Sequence, residues 1–221
     1  MEHPLSMSYG PIPGWAILGV IGLVSITFFV YQVTKATRLV MIGKPDNRFD
    51  NWPARIKEVA TGWLGQKKVL EDKVAGGIHV LMFWGFLMLS SDMLDLATAN
   101  WFSHNVLPEL LRGPWNLMVE TGYTIALIGC MAALTRRVVF TPEKLKGKSQ
   151  VEGNAILLLI MTITVTSFFV EAGEAGVSST YEPIGAWVAD TFDPSTNLVV
   201  GSYWAHMLAI ATFMFLIPLS K

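Results

Sequence analysis

Five long runs of apolar residues, separated by polar segments, dominate the sequence. Each run is close to the roughly 20 residues that an α-helix needs to cross a bilayer, where lipid offers no partner for backbone N–H and C=O groups. We therefore predict an all-α integral membrane protein, a bundle of five transmembrane helices. The predicted spans cover residues 14–34, 74–93, 115–135, 153–171 and 198–220.

The distribution of basic residues sets the expected orientation of these spans. Fifteen of the 16 Lys and Arg residues lie between spans one and two, between spans three and four, or at Lys221, and only Arg112 lies on the other side. Because basic residues concentrate in cytoplasmic loops, we expect the N-terminus outside and the C-terminus in the cytoplasm. Span one has no basic residue before it and is followed by Lys35 and Arg38, so we expect it to be retained rather than cleaved as a signal peptide.

The segment 35–73 is predicted to be a cytoplasmic loop that contains one short surface helix. Pro53 suits the first position of a helix, and residues 54–61 follow it without a helix breaker until Gly62. The basic character of the loop has two explanations: the orientation signal together with anionic lipid headgroups, or docking of a cytoplasmic partner.

Composition supports the membrane class and disfavours several others. Of the 221 residues, 52% are hydrophobic and 15% are charged, whereas soluble domains average about 25% charged residues. The net charge of −1 leaves no basic excess for nucleic-acid phosphates, so we expect no nucleic-acid partner. One cysteine, Cys130, cannot by itself form a disulfide, a four-cysteine zinc site or a cysteine-ligated iron–sulfur cluster, and we interpret it as a small packed hydrophobic residue.

Two histidines lie inside predicted spans, where polar groups are costly enough to indicate function. His79 is six residues after Lys73, about 9 Å from the predicted cytoplasmic end, and His206 is fifteen residues before Lys221, about 22 Å from the same end. Each could form an interhelical hydrogen bond, take part in a proton relay, or ligate haem iron. Their different depths predict that they do not share one haem. Met88 turns away from the His79 face and His104 lies in an outer loop, so neither is a convincing partner for His206.

Four local motifs resemble one family of membrane proteins. They are Gly-Gln-Lys-Lys-Val-Leu at 65–70, Gly-Ile-His at 77–79, Phe-Trp-Gly-Phe at 83–86 and Ile-Pro-Leu-Ser-Lys at 217–221. The sequence resembles the membrane cytochrome b domain related to the respiratory nitrate reductase gamma subunit. The resemblance is greater to the version joined to heterodisulfide-reductase-like iron–sulfur proteins, including electron-transfer-flavoprotein:menaquinone oxidoreductases.

The resemblance implies a subunit of the prokaryotic cytoplasmic (inner) membrane that carries one or two haem b groups. It would pass electrons between quinone, expected to be menaquinone, and a cytoplasmic iron–sulfur or flavoprotein partner. His79 and His206 match family histidines and are thereby implied to ligate haem iron. Leu89 stands where the gamma-subunit pattern has a second histidine on span two, which leaves a second ligand in doubt. In the family, the Ser-Lys ending is followed by further histidines and a cysteine-rich domain, so we expect an iron–sulfur domain after residue 221.

Several charged residues are candidates for roles in this electron-transfer hypothesis. Glu120, Glu171 and Glu174, together with Asp92 and Asp95, could exchange quinone protons with the outer face, or could be helix-end acids in water. Glu120 is the deepest of them.

The Arg136–Arg137 pair could anchor haem propionates near the inner surface, or could be a cytoplasmic stop signal.

Two other classes remain open to test. One is a non-haem membrane anchor or assembly subunit of a respiratory complex, in which His79 and His206 only bridge helices. The other is a proton-coupled transporter, which is disfavoured because the spans show no broken helices.

Overall fold

The computed structural model of the protein describes residues 3–43, 50–92, 109–140, 148–173 and 177–219. Within these ranges the chain forms a β-hairpin, whose two strands have two residues each, and seven α-helices. The strands are β1 (Ser8–Tyr9) and β2 (Ile12–Pro13), and the helices are α1 (Gly14–Val40), α2 (Trp52–Glu58), α3 (Lys73–Ser90), α4 (Glu109–Val139), α5 (Lys148–Ala172), α6 (Pro183–Phe192) and α7 (Thr196–Leu216). A π-helical segment, Val59–Leu64, extends α2, and short 3₁₀ segments precede α3 (Val69–Glu71) and follow α7 (Ile217–Leu219).

Helices α1, α3, α4, α5 and α7 are long and apolar enough to cross a membrane. The prediction of an all-α protein with five such helices is therefore confirmed. Helix α4 begins at Glu109, earlier than the predicted span, and contains Pro114. The difference arises because backbone hydrogen bonding continues through polar residues such as Arg112, which lie beyond the apolar run.

The bundle follows the order of the chain. Helix α3 packs along α4, α4 along α5 and α5 along α7, while α1 packs on the outside of α7. Consecutive long helices run in opposite directions, so the bundle has two chemically distinct ends. The basic end is the one that carries Lys73 at the start of α3 and Arg136 at the end of α4. The acidic end is the one that carries Asp92 after α3 and Glu171 at the end of α5.

Close approach of backbones joins α3 to α4. A Cβ at Gly85 would lie 2.6 Å from the Ala126 nitrogen, and a Cβ at Gly122 would lie 2.6 Å from the Met88 Cβ. Small residues at such crossings allow helices to pack by van der Waals contact where lipid supplies no hydrophobic driving force. The glycines therefore fix the distance between α3 and α4.

The best-packed part of the bundle lies between α4 and α5. Tyr123 and Phe168, which are 3% and 7% exposed, meet edge to face with ring centroids 6.1 Å apart. Nearer the basic end, Cys130 is completely buried against Ala133 and Leu157, as expected for a packed hydrophobic residue. This core holds the elements that carry the candidate site.

The N-terminal segment lies against the start of α7. Tyr9 accepts a 2.7 Å hydrogen bond from the indole N–H of Trp204, and the hairpin turns at Gly10, whose φ of +68° is in the left-handed region that favours glycine. Gly14 lies directly against Pro4, where a Cβ would clash with the Pro4 carbonyl. The segment is thereby held at the acidic end of the bundle.

The predicted short helix in the loop 35–73 is present as α2 and its π-helical extension. Its apolar residues Trp52, Ile56, Val59 and Trp63 recur at helical spacing, and each is at least half exposed. Trp63 also packs edge to face with Phe83 of α3, with ring centroids 5.6 Å apart. The loop is therefore in contact with the basic end of the bundle.

Candidate functional site

A cavity of about 510 Å³ lies between α3, α4, α5 and α7. Its volume is within the range of about 300–1,000 Å³ that is typical of small-molecule and cofactor sites. The lining runs from Ile217, near the basic end of α7, to Asp92 and Glu182 at the acidic end. It follows the side of the bundle where α3 and α7 are not in extended contact; there Phe86 and Phe213 face each other with ring centroids 5.6 Å apart.

His206 lines the cavity and is 7% exposed. Its Nδ1 lies 3.0 Å from the Ile163 carbonyl oxygen and 3.2 Å from the Thr166 hydroxyl. A carbonyl can only accept, so Nδ1 carries the proton and donates it to Ile163. The lone pair of the neutral ring is then on Nε2, and a backbone carbonyl that fixes the tautomer in this way is a common support of metal-ligating histidines.

His79 lies in a different environment. It is exposed, and its ring stacks on Phe83 with an interplanar angle of 18° and centroids 6.4 Å apart. The residues that line the His206 cavity do not include His79. The two histidines that the sequence analysis singled out are thus not brought together within the described part of the chain.

Glu120 is 2% exposed and holds the start of α6. One carboxylate oxygen accepts hydrogen bonds from the backbone N–H groups of Ile184 at 2.8 Å and Gly185 at 2.7 Å. Both donors belong to the first turn of α6, where unpaired N–H groups and the helix dipole favour a negative charge. Glu120 is not among the cavity-lining residues, and its predicted role in proton exchange stays a prediction.

Other acids line the acidic end of the cavity. Glu171 and Asp92 are both part of the lining, and the Tyr123 hydroxyl donates to Asp92 over 3.3 Å. Glu182 also lines the cavity and accepts from the Asn116 amide at 2.8 Å. The predictions for Glu174, Asp95 and His104 fall outside the described residues.

Arg136 and Arg137 lie at the basic end of α4 and do not line the cavity. The Arg137 guanidinium lies against Gly153 of α5, where a Cβ would clash with it. Its Nη1 is buried and has no hydrogen-bond partner among the residues that the structure describes. Arg137 therefore retains a donor at the basic end, and its proposed contact with a haem propionate stays a prediction.

His3 and Tyr203 are among the cavity residues that the sequence analysis did not single out. His3 lies near the start of the chain, where no sequence pattern surrounds it, yet its ring meets Tyr203 edge to face with centroids 5.4 Å apart, and both residues line the cavity. The Tyr203 side chain is buried, and its hydroxyl has no hydrogen-bond partner within the described ranges. The signal that could have indicated a folded N-terminal segment is Tyr-Gly-Pro at 9–11, a turn sequence.

Two curated proteins are similar to this chain. It is 26% identical over 246 aligned residues to the EtfAB:quinone oxidoreductase of Syntrophomonas wolfei, and the match covers 99% of this chain and 34% of that protein. It is 26% identical over 212 aligned residues to the probable iron-sulfur-binding oxidoreductase FadF of Bacillus subtilis, with 89% of this chain and 29% of that protein covered. The chain spans about a third of the length of these relatives.

Neither a protein-family model nor a solved structure matches the chain. By their names, the two relatives belong to quinone and iron–sulfur oxidoreductase systems, which is consistent with an electron-transfer role.

Proposed function

We propose that this chain is the membrane-embedded electron-transfer part of a quinone-linked oxidoreductase, and that it binds haem b. In this function it carries electrons between a membrane quinone, menaquinone being the expected type, and a cytoplasmic iron–sulfur or flavoprotein partner. The similarity to two oxidoreductases of quinone and iron–sulfur systems supports the general role. The observation that supports the haem is the buried His206 imidazole, which lines the cavity with its proton on Nδ1.

The residues around His206 would suit the side of a haem that the His206 imidazole ligates. The ring is oriented by the Ile163 carbonyl, so Nε2 is available to ligate iron, and apolar side chains such as Phe86 and Phe213 provide walls suited to a macrocycle. When bound, haem b would exchange single electrons and thereby link quinone chemistry to one-electron centres. Leu89 also lines the cavity and cannot ligate iron, so a second iron ligand would have to come from another group.

His79 would serve a second haem at the basic end. Its stacking on Phe83 and its exposure leave the ring accessible to a cofactor. In the proposed orientation the N-terminus is outside and the basic end faces the cytoplasm, where the positive-inside rule puts Lys and Arg. The iron–sulfur partner would dock at that end, next to the basic loop that carries α2.

The rival function is a non-haem membrane anchor or assembly subunit. The hydrogen bond from His206 to Ile163 is an observation in favour of the anchor, because that bond already joins α7 to α5 without a cofactor. The two functions differ in what they require of Nε2. An anchor needs only the Nδ1 hydrogen bond, whereas haem ligation needs the lone pair on the other nitrogen.

The test is a reduced-minus-oxidised spectrum, with haem extraction, of the protein purified together with its partner. We expect a b-type band that His206→Gln and His206→Ala both diminish, because neither residue supplies an imidazole. Thr212→Val is the matched control on α7, since the hydrogen bond described for the Thr212 hydroxyl stays within its own helix and goes to the Leu208 carbonyl at 2.8 Å. A purified complex without a b-type band, or a band that both His206 variants retain unchanged, would contradict haem ligation by His206 and favour the anchor.

A further inference from the structure

The polar side chains that line the acidic end of the cavity include two hydrogen-bond donors from the N-terminal segment and α7 that the haem proposal does not use. His3 and Tyr203 line this end, and their rings are in edge-to-face contact. Tyr203 is one helical turn from His206 on α7, a rise of about 4.5 Å. A ligand held by these side chains would therefore lie next to the group that His206 binds.

The hydrogen bond that the His3 ring accepts defines which of its two nitrogens is a donor. Its Nδ1 accepts a 3.2 Å hydrogen bond from the Leu5 backbone N–H. The neutral ring then carries its proton on Nε2, which makes Nε2 a donor and not a metal ligand. His3 is thus the reverse of His206, whose Nδ1 donates and whose Nε2 has the lone pair. Contact with the bundle partly desolvates the ring and lowers the pKa of His3, so the neutral form is favoured.

The Tyr203 hydroxyl supplies the second donor. The residue is 3% exposed, and the hydroxyl oxygen is buried with no partner among the described residues. A buried hydroxyl is normally hydrogen-bonded, so this one has a donor to offer to a group inside the cavity. Hydrogen bonding to a ligand oxygen would satisfy it.

These features match one chemical class. The headgroup of an oxidised quinone is a flat apolar ring with two carbonyl oxygens, which accept hydrogen bonds and offer none. A site for it needs donors at the end of an apolar cavity, and the lining provides them together with Leu89, Ile210 and Phe213. A lipid acyl chain would fill the apolar part but would leave both donors unused.

We propose that the acidic end of this cavity binds the quinone headgroup, with His3 and Tyr203 donating hydrogen bonds to its carbonyl oxygens. The N-terminal segment is then part of the binding site, held in place by the hydrogen bond between Trp204 and Tyr9. This inference rests on the proposed function for the identity of the ligand. It adds where the quinone binds and which residues recognise it.

The first experiment measures steady-state kinetics of the purified complex with 2,3-dimethyl-1,4-naphthoquinone. We expect His3→Ala and Tyr203→Phe each to raise KM about tenfold, the effect of losing one hydrogen bond to the ligand. The b-type spectrum should stay unchanged, because neither residue ligates iron. His3→Gln should recover part of the loss, since its amide can donate from a similar position. Tyr31→Phe on α1 is the matched control, because Tyr31 is 64% exposed and does not line the cavity.

The second experiment requires no turnover. An azido-naphthoquinone is photo-crosslinked to the complex, and the labelled peptides are identified by mass spectrometry. Label in residues 3–13 or around Tyr203, displaced by excess naphthoquinone, supports the site.

The outcomes separate the two proposals. Label elsewhere with wild-type KM values in the variants would overturn this site, and a retained b-type band would leave the proposed function standing. Absence of the band, of quinone turnover and of any displaceable label would overturn both. Label that added phospholipid displaces as well as quinone does would identify the cavity as a lipid site and overturn the proposal.

Discussion

The two halves of the bundle present their histidines in opposite ways. In the acidic half, His206 is 7% exposed and its ring is fixed by a backbone carbonyl and a threonine hydroxyl. In the basic half, His79 is exposed and meets only the face of Phe83 among the contacts described. The residue type and the apolar context are the same in both spans. What distinguishes them is whether a neighbouring helix supplies an oriented acceptor.

This difference suggests that the acidic half is organised by the described residues themselves. Glu120 fixes α6, α6 packs on α5, and α5 supplies the acceptor for His206. When neighbouring residues already orient a side chain that binds a cofactor, the free-energy cost of binding is lower, because fewer side chains must be ordered when the cofactor enters. In the basic half, the His79 side chain would have to be ordered when a cofactor binds.

The largest expected effect comes from comparing His79→Ala with His206→Ala in the complete complex. We expect each variant to abolish or shift a different b-type signal, because the two rings do not line one cavity. Only His206→Ala should also lower the melting temperature in detergent, since it removes a buried side chain together with its hydrogen bond between α7 and the Ile163 carbonyl of α5. Redox-resolved difference spectra and thermal unfolding make the two measurements. If both variants remove the same signal, the halves are not independent and the comparison fails.

The next largest effect concerns Glu120. Replacing it with Ala leaves one buried and one part-buried N–H group of α6 without this acceptor and should destabilise the acidic half by about 2–4 kcal/mol. Glu120→Gln keeps an oxygen for these donors and should cost less than half as much. Glu58→Gln, at an exposed position of α2, is the control. Stability is measured by thermal unfolding, and retention of the b-type band that depends on His206 is measured alongside it. A Glu120→Ala variant as stable as wild type would show that α6 needs no such anchor.

The basic half is tested by Gly76. A Cβ there would clash with the Val69 carbonyl, because the 3₁₀ segment before α3 lies directly against the helix at this position. Gly76→Val should displace that segment and cost about 1–3 kcal/mol, altering the surroundings of His79 while the His206 signal stays constant. Gly77→Ala is a matched control, because a Cβ at Gly77 meets nothing within 4 Å. Spectra of the two variants decide the matter, and equal changes in both b-type signals would contradict the separation of the halves.

The sequence predicted the helices well and the site only partly, for a physical reason. Runs of about 20 apolar residues determine membrane-length helices almost by themselves, because the backbone must pair internally. The contacts that make the site join residues far apart in the chain. Glu120 meets Gly185 across 65 positions, and His206 meets Ile163 across 43. No local pattern encodes which acceptor a side chain reaches.

The case of His3 makes the same point more strongly. A histidine at the start of a chain has no periodicity to indicate its place, and its contact with Tyr203 depends on the turn at Gly10 and on the hydrogen bond between Tyr9 and Trp204, 195 positions apart. Burial of Cys130, in contrast, followed from its position in an apolar run. Sequence reasoning therefore works where burial decides the outcome, and fails where a specific long-range pairing does.

The smallest expected effect would show how finely the His206 ring is adjusted. The Thr166 hydroxyl donates to the Thr162 carbonyl at 2.6 Å, so its lone pair is free to accept from Nδ1 of His206 at 3.2 Å, beside the stronger bond to Ile163. Thr166→Val preserves the shape and removes this second acceptor. With less electron density supplied to the imidazole, the midpoint potential of the haem that we propose on His206 should rise by on the order of 20 mV.

The measurement is a redox titration of the b-type band, with Thr212→Val as the control on α7. A potential that moves equally in both variants would mean that Thr166 has no specific effect on His206. A shift much larger than that expected would mean that Thr166, rather than the Ile163 carbonyl, is the main support of the ring, since loss of a main support changes ligand basicity more than loss of a secondary acceptor.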